Sequence, residues 1–255
     1  MILQLKKLHP EDMIIMLVSS NLFKKSSKSR KVRCEICANY CKIADGSYGI
    51  CKQHKNINGE LFDESFGVVS SLNADPIEKK PLYHFLPGTL TYSVGGFGCN
   101  MGCLHCQNYM ISQEFDKISD RFNILPETIV ENAINQGCKS IAWTYNEPTI
   151  HLPFNKKTSL LAKRKNLKIV YVSNGYMSDQ SLSEILNFVD AFNIDLKSMS
   201  QNFYKKICKA DLNIVLDNLK RIYDADKHLE ITNLLINGYN LSLIHISEPT
   251  RLRCI

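Results

Sequence analysis

Long apolar runs are missing from this 255-residue sequence. None approaches the roughly 18 residues that a membrane-spanning helix needs, which excludes such a helix and a membrane partner. The nearest thing to a secretory apolar region, Met13 to Val18, is too short and follows Glu11 and Asp12. A cytoplasmic location is therefore expected. Extremes of charge are missing too: 22% of residues are charged and 44% hydrophobic. That balance excludes disorder over most of the chain and leaves ample apolar material for a core. The formal net charge of +6 comes from one stretch, Lys24, Lys25, Lys28, Arg30, Lys31 and Arg33. No aromatic stacking pattern accompanies it, so a nucleic-acid partner is not expected and the stretch reads as a solvated, flexible leader.

Cysteine, by contrast, is abundant. The ten are Cys34, Cys37, Cys41, Cys51, Cys99, Cys103, Cys106, Cys138, Cys208 and Cys254. Seven fall in two clusters. Clustered cysteines in a cytoplasmic chain of this length point to metal or redox chemistry before disulfides. Cys138 and Cys208 stand alone and read as buried, inert cysteines.

Four regions are expected. Residues 1–31 form a disordered leader, and 32–88 a small cysteine-rich module with a connector. Residues 89–240 form the main α/β unit, and 241–255 a tail foreign to it. Short β-branched or aromatic runs at 89–94, 140–144, 168–173, 191–196 and 228–236 read as strands. Helices lie between them. Pro126 suits a first helical position, with Gly137 just past the end. Leu182, Ile185, Leu186 and Val189 recur at helical spacing, and Asp211 suits the cap of a helix carrying Val215, Leu219 and Ile222. Strand–helix alternation predicts a parallel sheet with crossover helices, whose chemistry gathers at the carboxyl ends of the strands.

At the end of the first such strand stands Cys99-Asn-Met-Gly-Cys103-Leu-His-Cys106, a CxxxCxxC pattern introduced by Gly95, Gly96 and Gly98. Three thiolates on one loop can ligate three irons of a cubane cluster and leave the fourth open. Four-cysteine clusters are closed and shuttle electrons. An open metal position can instead bind a substrate or cofactor directly.

The segment GCNMGCLHCQNYMISQ (98–113) resembles the cluster loop of the radical S-adenosylmethionine (SAM) superfamily. More narrowly it resembles the AmmeMemoRadiSam-type proteins, relatives of the pyruvate formate-lyase activating enzymes. DPIEKKPLYHFLPG (75–88), TYNEPT (144–149), SNGY (173–176), NIDLK (193–197) and ITNLLINGYN (231–240) match the same family in order. The resemblance covers about residues 32–240. It implies a partial (βα)6 barrel, truncated after about the fifth strand, with the small cysteine-rich module at its N-terminal side. It further implies a [4Fe–4S] cluster on Cys99, Cys103 and Cys106. SAM would be cleaved there to methionine and a 5′-deoxyadenosyl radical, and an external electron donor of flavodoxin or ferredoxin type is implied. The implied role is activation of a glycyl-radical enzyme. The alternatives are radical modification of another protein or of a small molecule, or a non-catalytic metal-binding or electron-carrying module.

The resemblance also assigns cofactor contacts. His105 stands where the family commonly places an aromatic beside the adenine. Glu147 is placed to accept from the SAM amino group, although an acid beside Pro148 also suits a helix N-terminus. Asn174 is placed at the ribose, although Asn-Gly is also a common turn pair. Asp195 and Lys197 share one strand face, and Lys197 suits the SAM carboxylate, although a surface ion pair would look the same. The sequence identifies no side chain that touches the reacting atoms.

Cys34, Cys37, Cys41 and Cys51 can supply four ligands to zinc or to a second iron–sulfur cluster, or can remain free thiols. His84, His151 and His228 have no partner visible in the sequence. The tail LSLIHISEPTRLRCI (241–255) has no family counterpart and resembles translated adapter sequence. Its presence predicts an unpaired sheet edge where a sixth parallel strand would sit.

Overall fold

The computed structural model describes residues 18–19, 21–26, 29–117 and 122–240. Most of the stretch read as a leader, and the whole tail, lie outside them. The main unit is an α/β fold around one six-stranded sheet. Its strands are β1 (Ser71–Pro76), β2 (Leu90–Gly95), β3 (Ser140–Trp143), β4 (Lys168–Ser173), β5 (Ala191–Asp195) and β6 (His228–Thr232). They lie in sequence order, from β6 at one edge to β1 at the other. β2 to β6 are parallel and β1 pairs antiparallel to β2. Among the described residues nothing pairs with the outer edge of β6, where Ile231 is half exposed.

Four helices make the crossovers: α1 (Pro126–Asn135), α2 (Leu152–Arg164), α3 (Asp179–Ile185) and α4 (Leu212–Asp224). Their starts follow local chemistry. Pro126 occupies the first turn of α1, where no intrahelical amide is needed, and Gly137 takes φ +70 after its end. The Ser178 side chain accepts from the Ser181 amide at the start of α3, and Asp211 accepts from Asn213 at the start of α4.

The sheet's period-two alternation separates two cores. Ile141, Trp143, Tyr171, Phe192 and Ile194 pack with Ile129 of α1, Phe154 of α2, Leu182 of α3, and Val215 and Ile222 of α4. On the opposite face Ala142, Val170 and Ala191 are small, and Ile77 and Leu82 fill the space above them. These two side chains come from the stretch DPIEKKPLYHFLPG, which therefore seals the inner face of the sheet. Truncating a fully buried residue such as Ile222 to alanine would cost about 2–5 kcal/mol.

The cysteine-rich module is built from very short strands. Phe23–Lys25, Val32–Cys34 and Lys42–Ile43 form an antiparallel meander. His54–Ile57 and Glu60–Asp63 form a hairpin on which Val18–Ser19 pairs. Its two-residue turn is Asn58-Gly59, both at positive φ, as a type I′ turn requires. Phe23–Lys25 falls inside the stretch read as a leader. The module docks on the carboxyl ends of the parallel strands. The Ala38 amide donates to the Tyr176 carbonyl (3.4 Å), Asn39 Nδ2 to the Asn100 carbonyl (2.6 Å) and Ser178 Oγ to the Glu35 carbonyl.

Candidate active site at the strand ends

The loop after β2 runs through two positions that admit only glycine. A Cβ on Gly96 would lie 2.4 Å from Nε2 of His151, and one on Gly98, at φ +83, would lie 2.5 Å from the Cys51 carbonyl. Asn146, just past β3, clamps the same loop. Its Oδ1 accepts from the Gly96 amide (3.0 Å) and its Nδ2 donates to the Gly98 carbonyl (2.9 Å). His151 is not isolated: Asn146 Nδ2 lies 3.0 Å from its Nε2, and Ser65 Oγ 2.9 Å from its Nδ1. Burial pushes the imidazole down to about 4, so it is neutral and structural at ordinary pH.

Beyond Gly98 the chain carries the three thiols. Cys99 Sγ accepts from the Met101 amide (3.5 Å) and from Asn174 Nδ2 (3.7 Å). Cys106 closes a turn on the Cys103 carbonyl (3.3 Å). Behind the loop lies a π-helical turn, Tyr204–Cys208, that ends on Lys209 at φ +59. The Gly102 amide donates to the Cys208 carbonyl and the Leu104 amide to the Ile207 carbonyl, each at 3.0 Å. The turn thus holds the loop by its backbone.

The residues expected to contact SAM gather around this loop. Glu147, 1% exposed, joins the ends of β3 and β4. Its Oε1 accepts from the amide and hydroxyl of Thr149 and from Ser173 Oγ, while Oε2, among the described residues, accepts from the Asn174 amide alone (2.8 Å). Asn174 Nδ2 also donates to Asn100 Oδ1 (2.7 Å), and its Oδ1 accepts from the Tyr176 amide (2.9 Å). Lys197 Nζ pairs with Asp195 Oδ2 at 2.7 Å. Burial alone would lower the Lys197 ammonium, but Asp195 outweighs it and holds the pKa above the ordinary value. The His105 ring lies 5.8 Å from that of Phe203, and its buried Nδ1 has no hydrogen-bond partner among the described residues. Burial, with Lys197 nearby, lowers its pKa.

One residue of this site left no mark in the sequence pattern. Cys208, read there as an inert buried cysteine, brings its thiol against Cys103. The ligand atoms of Cys103, His105 and Cys208 all lie within 4.8 Å of one another. The distance along the chain hides this meeting, because only the π-helical turn brings Cys208 to the loop.

The donor set tests whether an iron–sulfur cluster fits. Burial raises the Cys99 thiol, and the charges of Glu147, Cys103 and Cys106 raise it further. Such crowded acidic groups cannot ionise together without a compensating cation. Thiolates on iron satisfy that demand, and the amide donors at Cys99 support the same charge state. Within reach of the loop, Glu147 Oε2 has spare acceptor capacity, and Lys197 offers a cation. The residues present therefore fit a thiolate-held cluster with polar groups beside it.

Comparison with known proteins agrees. Residues 93–246 match the radical SAM superfamily. The chain is 44% identical over 220 residues to the uncharacterized protein MJ0808 of Methanocaldococcus jannaschii, a match covering 86% of this chain and 65% of that one. It is 28% identical over 163 residues to MJ0674 of the same organism, covering 62% of this chain and 44% of the relative. The chain thus spans less than two thirds of the length of both relatives. A domain of pyruvate-formate lyase-activating enzyme from Bacteroides vulgatus ATCC 8482 overlaps it with a TM-score of 0.37 at 22% identity, covering 40% of this chain and 63% of that one. Among the described residues no helix is long and apolar enough to cross a membrane. With its three-thiol loop at the carboxyl ends of a parallel sheet, this chain belongs to the radical SAM superfamily.

Proposed function

We propose that this protein is a radical SAM enzyme of the AmmeMemoRadiSam type, acting as an activator of a glycyl-radical protein in the manner of the pyruvate formate-lyase activating enzymes. The observation that carries the enzymatic reading is the placement of Cys99, Cys103 and Cys106 on one loop among the polar ends of β3, β4 and β5. Those three residues would hold the [4Fe–4S] cluster, which when bound supplies the electron that cleaves SAM to methionine and a 5′-deoxyadenosyl radical. An external one-electron donor of flavodoxin or ferredoxin type completes the cycle. This chain's residues bind and orient. Oε2 of Glu147 keeps a lone pair that would accept from the SAM ammonium, and Lys197 would pair with the SAM carboxylate. Asn174 positions Cys99 and would meet the ribose, and His105 would offer its ring and its Nδ1 to the adenine.

The test is anaerobic reconstitution with iron and sulfide, then an assay for 5′-deoxyadenosine from SAM and dithionite. Cys99→Ala, Cys103→Ala and Cys106→Ala should each abolish both the cluster absorbance and the product. Product formation undiminished in any of the three would overturn the assignment.

A further inference from the structure

Four cysteines lie outside the site just described, on the module that docks against it. The Cys34 amide donates to the Cys41 carbonyl (2.9 Å), so the meander sets these two residues side by side. Cys37 sits on a turn closed by the Tyr40 amide on the Cys37 carbonyl (3.2 Å), with Tyr40 at φ 44. Cys51 sits on a turn closed by the Lys52 amide on the Gly49 carbonyl (2.9 Å), with Lys52 at φ 56. The position of a Cβ on Gly49 lies in ordinary contact with the Cys41 sulfur, at 3.6 Å, so the chain before Cys51 packs directly on Cys41. Cys34, Cys37 and Cys51 are buried and Cys41 is half-buried. Each lies within electrostatic range of others in the set.

Backbone amides stand beside three of these sulfurs: those of Ile36 at Cys34, Asn39 at Cys37, and Gln53 and His54 at Cys51, where each favours the thiolate. Met101 does the same to Cys99 in the central loop. At Cys34, Cys37, Cys51 and Cys99 alike an amide stands two residues after the thiol. An apolar packing role needs no donors at sulfur. Donors aimed at sulfurs kept from water are what a bound cation needs, because its ligands are thiolates.

We propose that Cys34, Cys37, Cys41 and Cys51 hold a second iron–sulfur cluster. A single zinc ion, with Zn–S near 2.3 Å, would draw all four sulfurs within roughly 4.6 Å of one another. Among the described residues, no three of these sulfurs lie within 4.8 Å of each other. The same openness holds for Cys99, Cys103 and Cys106 taken together. A cluster spreads its ligands because each thiolate binds a different iron. With four cysteines it is closed, so it exchanges electrons and binds no substrate. Its position suits that task. Cys51 and Cys99 line one cleft of about 320 Å³, and the Cys51 carbonyl packs on Gly98 of the central loop.

The site does not depend on the SAM reading, and the experiment separates them. The whole chain is purified and reconstituted anaerobically, and iron, sulfide and zinc are counted. Two four-iron clusters give about eight irons per chain. The triple variant Cys99→Ala, Cys103→Ala, Cys106→Ala should keep about four irons, with a dithionite-reduced electron paramagnetic resonance signal that SAM does not alter. The double variant Cys34→Ser, Cys37→Ser should keep the SAM-sensitive signal alone. Should the double variant fail to fold, the triple variant decides by itself. A triple variant without iron, or a wild-type chain with one tightly held zinc and a single cluster, overturns the proposal. Retention of iron in the triple variant, with no SAM effect on wild type, would sustain this site and remove the SAM reading instead.

Discussion

Cys208 brings its sulfur to within 4.8 Å of that of Cys103, although one ends a π-helical turn and the other lies in the loop after β2. Their sulfurs and a ring nitrogen of His105 lie within 4.8 Å of one another. Cys103 is therefore shared between two fates: metal ligation, or bonding to Cys208.

In the metal-free protein the two thiols are close enough for a mild oxidant to join them. Diamide treatment should yield a Cys103–Cys208 disulfide, read by peptide mapping without reductant. The oxidised protein should take up iron at the central site only after reduction. Cys208→Ser should assemble the central cluster normally and become insensitive to diamide. A diamide product linking Cys103 to any other cysteine would contradict this pairing.

Lys197→Met removes the cation beside Asp195 without touching a thiol. If Lys197 meets the SAM carboxylate, affinity for SAM should fall tenfold or more, equivalent to about 1.4 kcal/mol. Iron content should stay at the wild-type level. Equilibrium binding of SAM to the reconstituted protein measures the first, and colorimetric iron the second. Unchanged affinity would leave the pair a structural strand-end contact.

His151 makes stability fall in acid. Its pKa drops from an ordinary 6.5 to about 4 in the folded protein. The depressed value means that the fold favours the neutral ring. The stabilisation is full above pH 6.5, where neither state is protonated. It is lost as pH falls from 6.5 toward 4, where the unfolded chain binds the proton first. The loss amounts to about 3 kcal/mol over that interval. Urea unfolding of the metal-free protein at pH 7 and pH 4 should show it. His151→Gln should reduce the acid loss by about that amount.

Asp75 is a stability hinge between β1 and the inner face of the sheet. Its carboxylate accepts from Lys80 (3.0 Å), Lys79 (3.1 Å), Ser93 (2.9 Å) and Tyr145 (3.0 Å). Burial would raise its pKa, but Lys80 and Lys79 outweigh that and hold it well below the usual carboxylate range. The Lys80 side chain is 3% exposed. Asp75→Asn would strand that buried ammonium, at a cost of about 3–5 kcal/mol. Lys80→Met made together with Asp75→Asn should recover most of the loss, as a double-mutant cycle in denaturant will show.

The parallel strands were legible because they are short runs rich in β-branched and aromatic residues, largely buried in β2 to β5 and only partly so in β6. The expected 168–173 coincides with β4, and the other four run one to four residues past or short of the observed ends. β1 escaped notice because Ser-Leu-Asn-Ala-Asp-Pro has no β-branched or aromatic residue, ends in proline and lies on an edge. α2 escaped because Pro153 opens it and Lys156, Lys157, Lys163 and Arg164 dilute its apolar stripe. The module's strands, two to four residues long, are too short for any period to show. At the site, the thiol loop and Glu147, Asn174, Asp195 and Lys197 were singled out by sequence because each stands at or just past the end of a strand. Internal bonding was not readable: nothing in TYNEPT says that the Glu147 carboxylate already takes four donors.

The contact between Gly96 and His151 also constrains how this family can drift. A side chain at 96 would strike the imidazole at 2.4 Å, and the imidazole is itself held by Ser65 and Asn146. Neither residue can change first without injury. A larger residue at 96 needs a smaller one already at 151, and a smaller residue at 151 leaves a void beside the loop that carries the thiols. The two positions are thus bound to a common history, and descendants of this chain should either keep both residues or have replaced both.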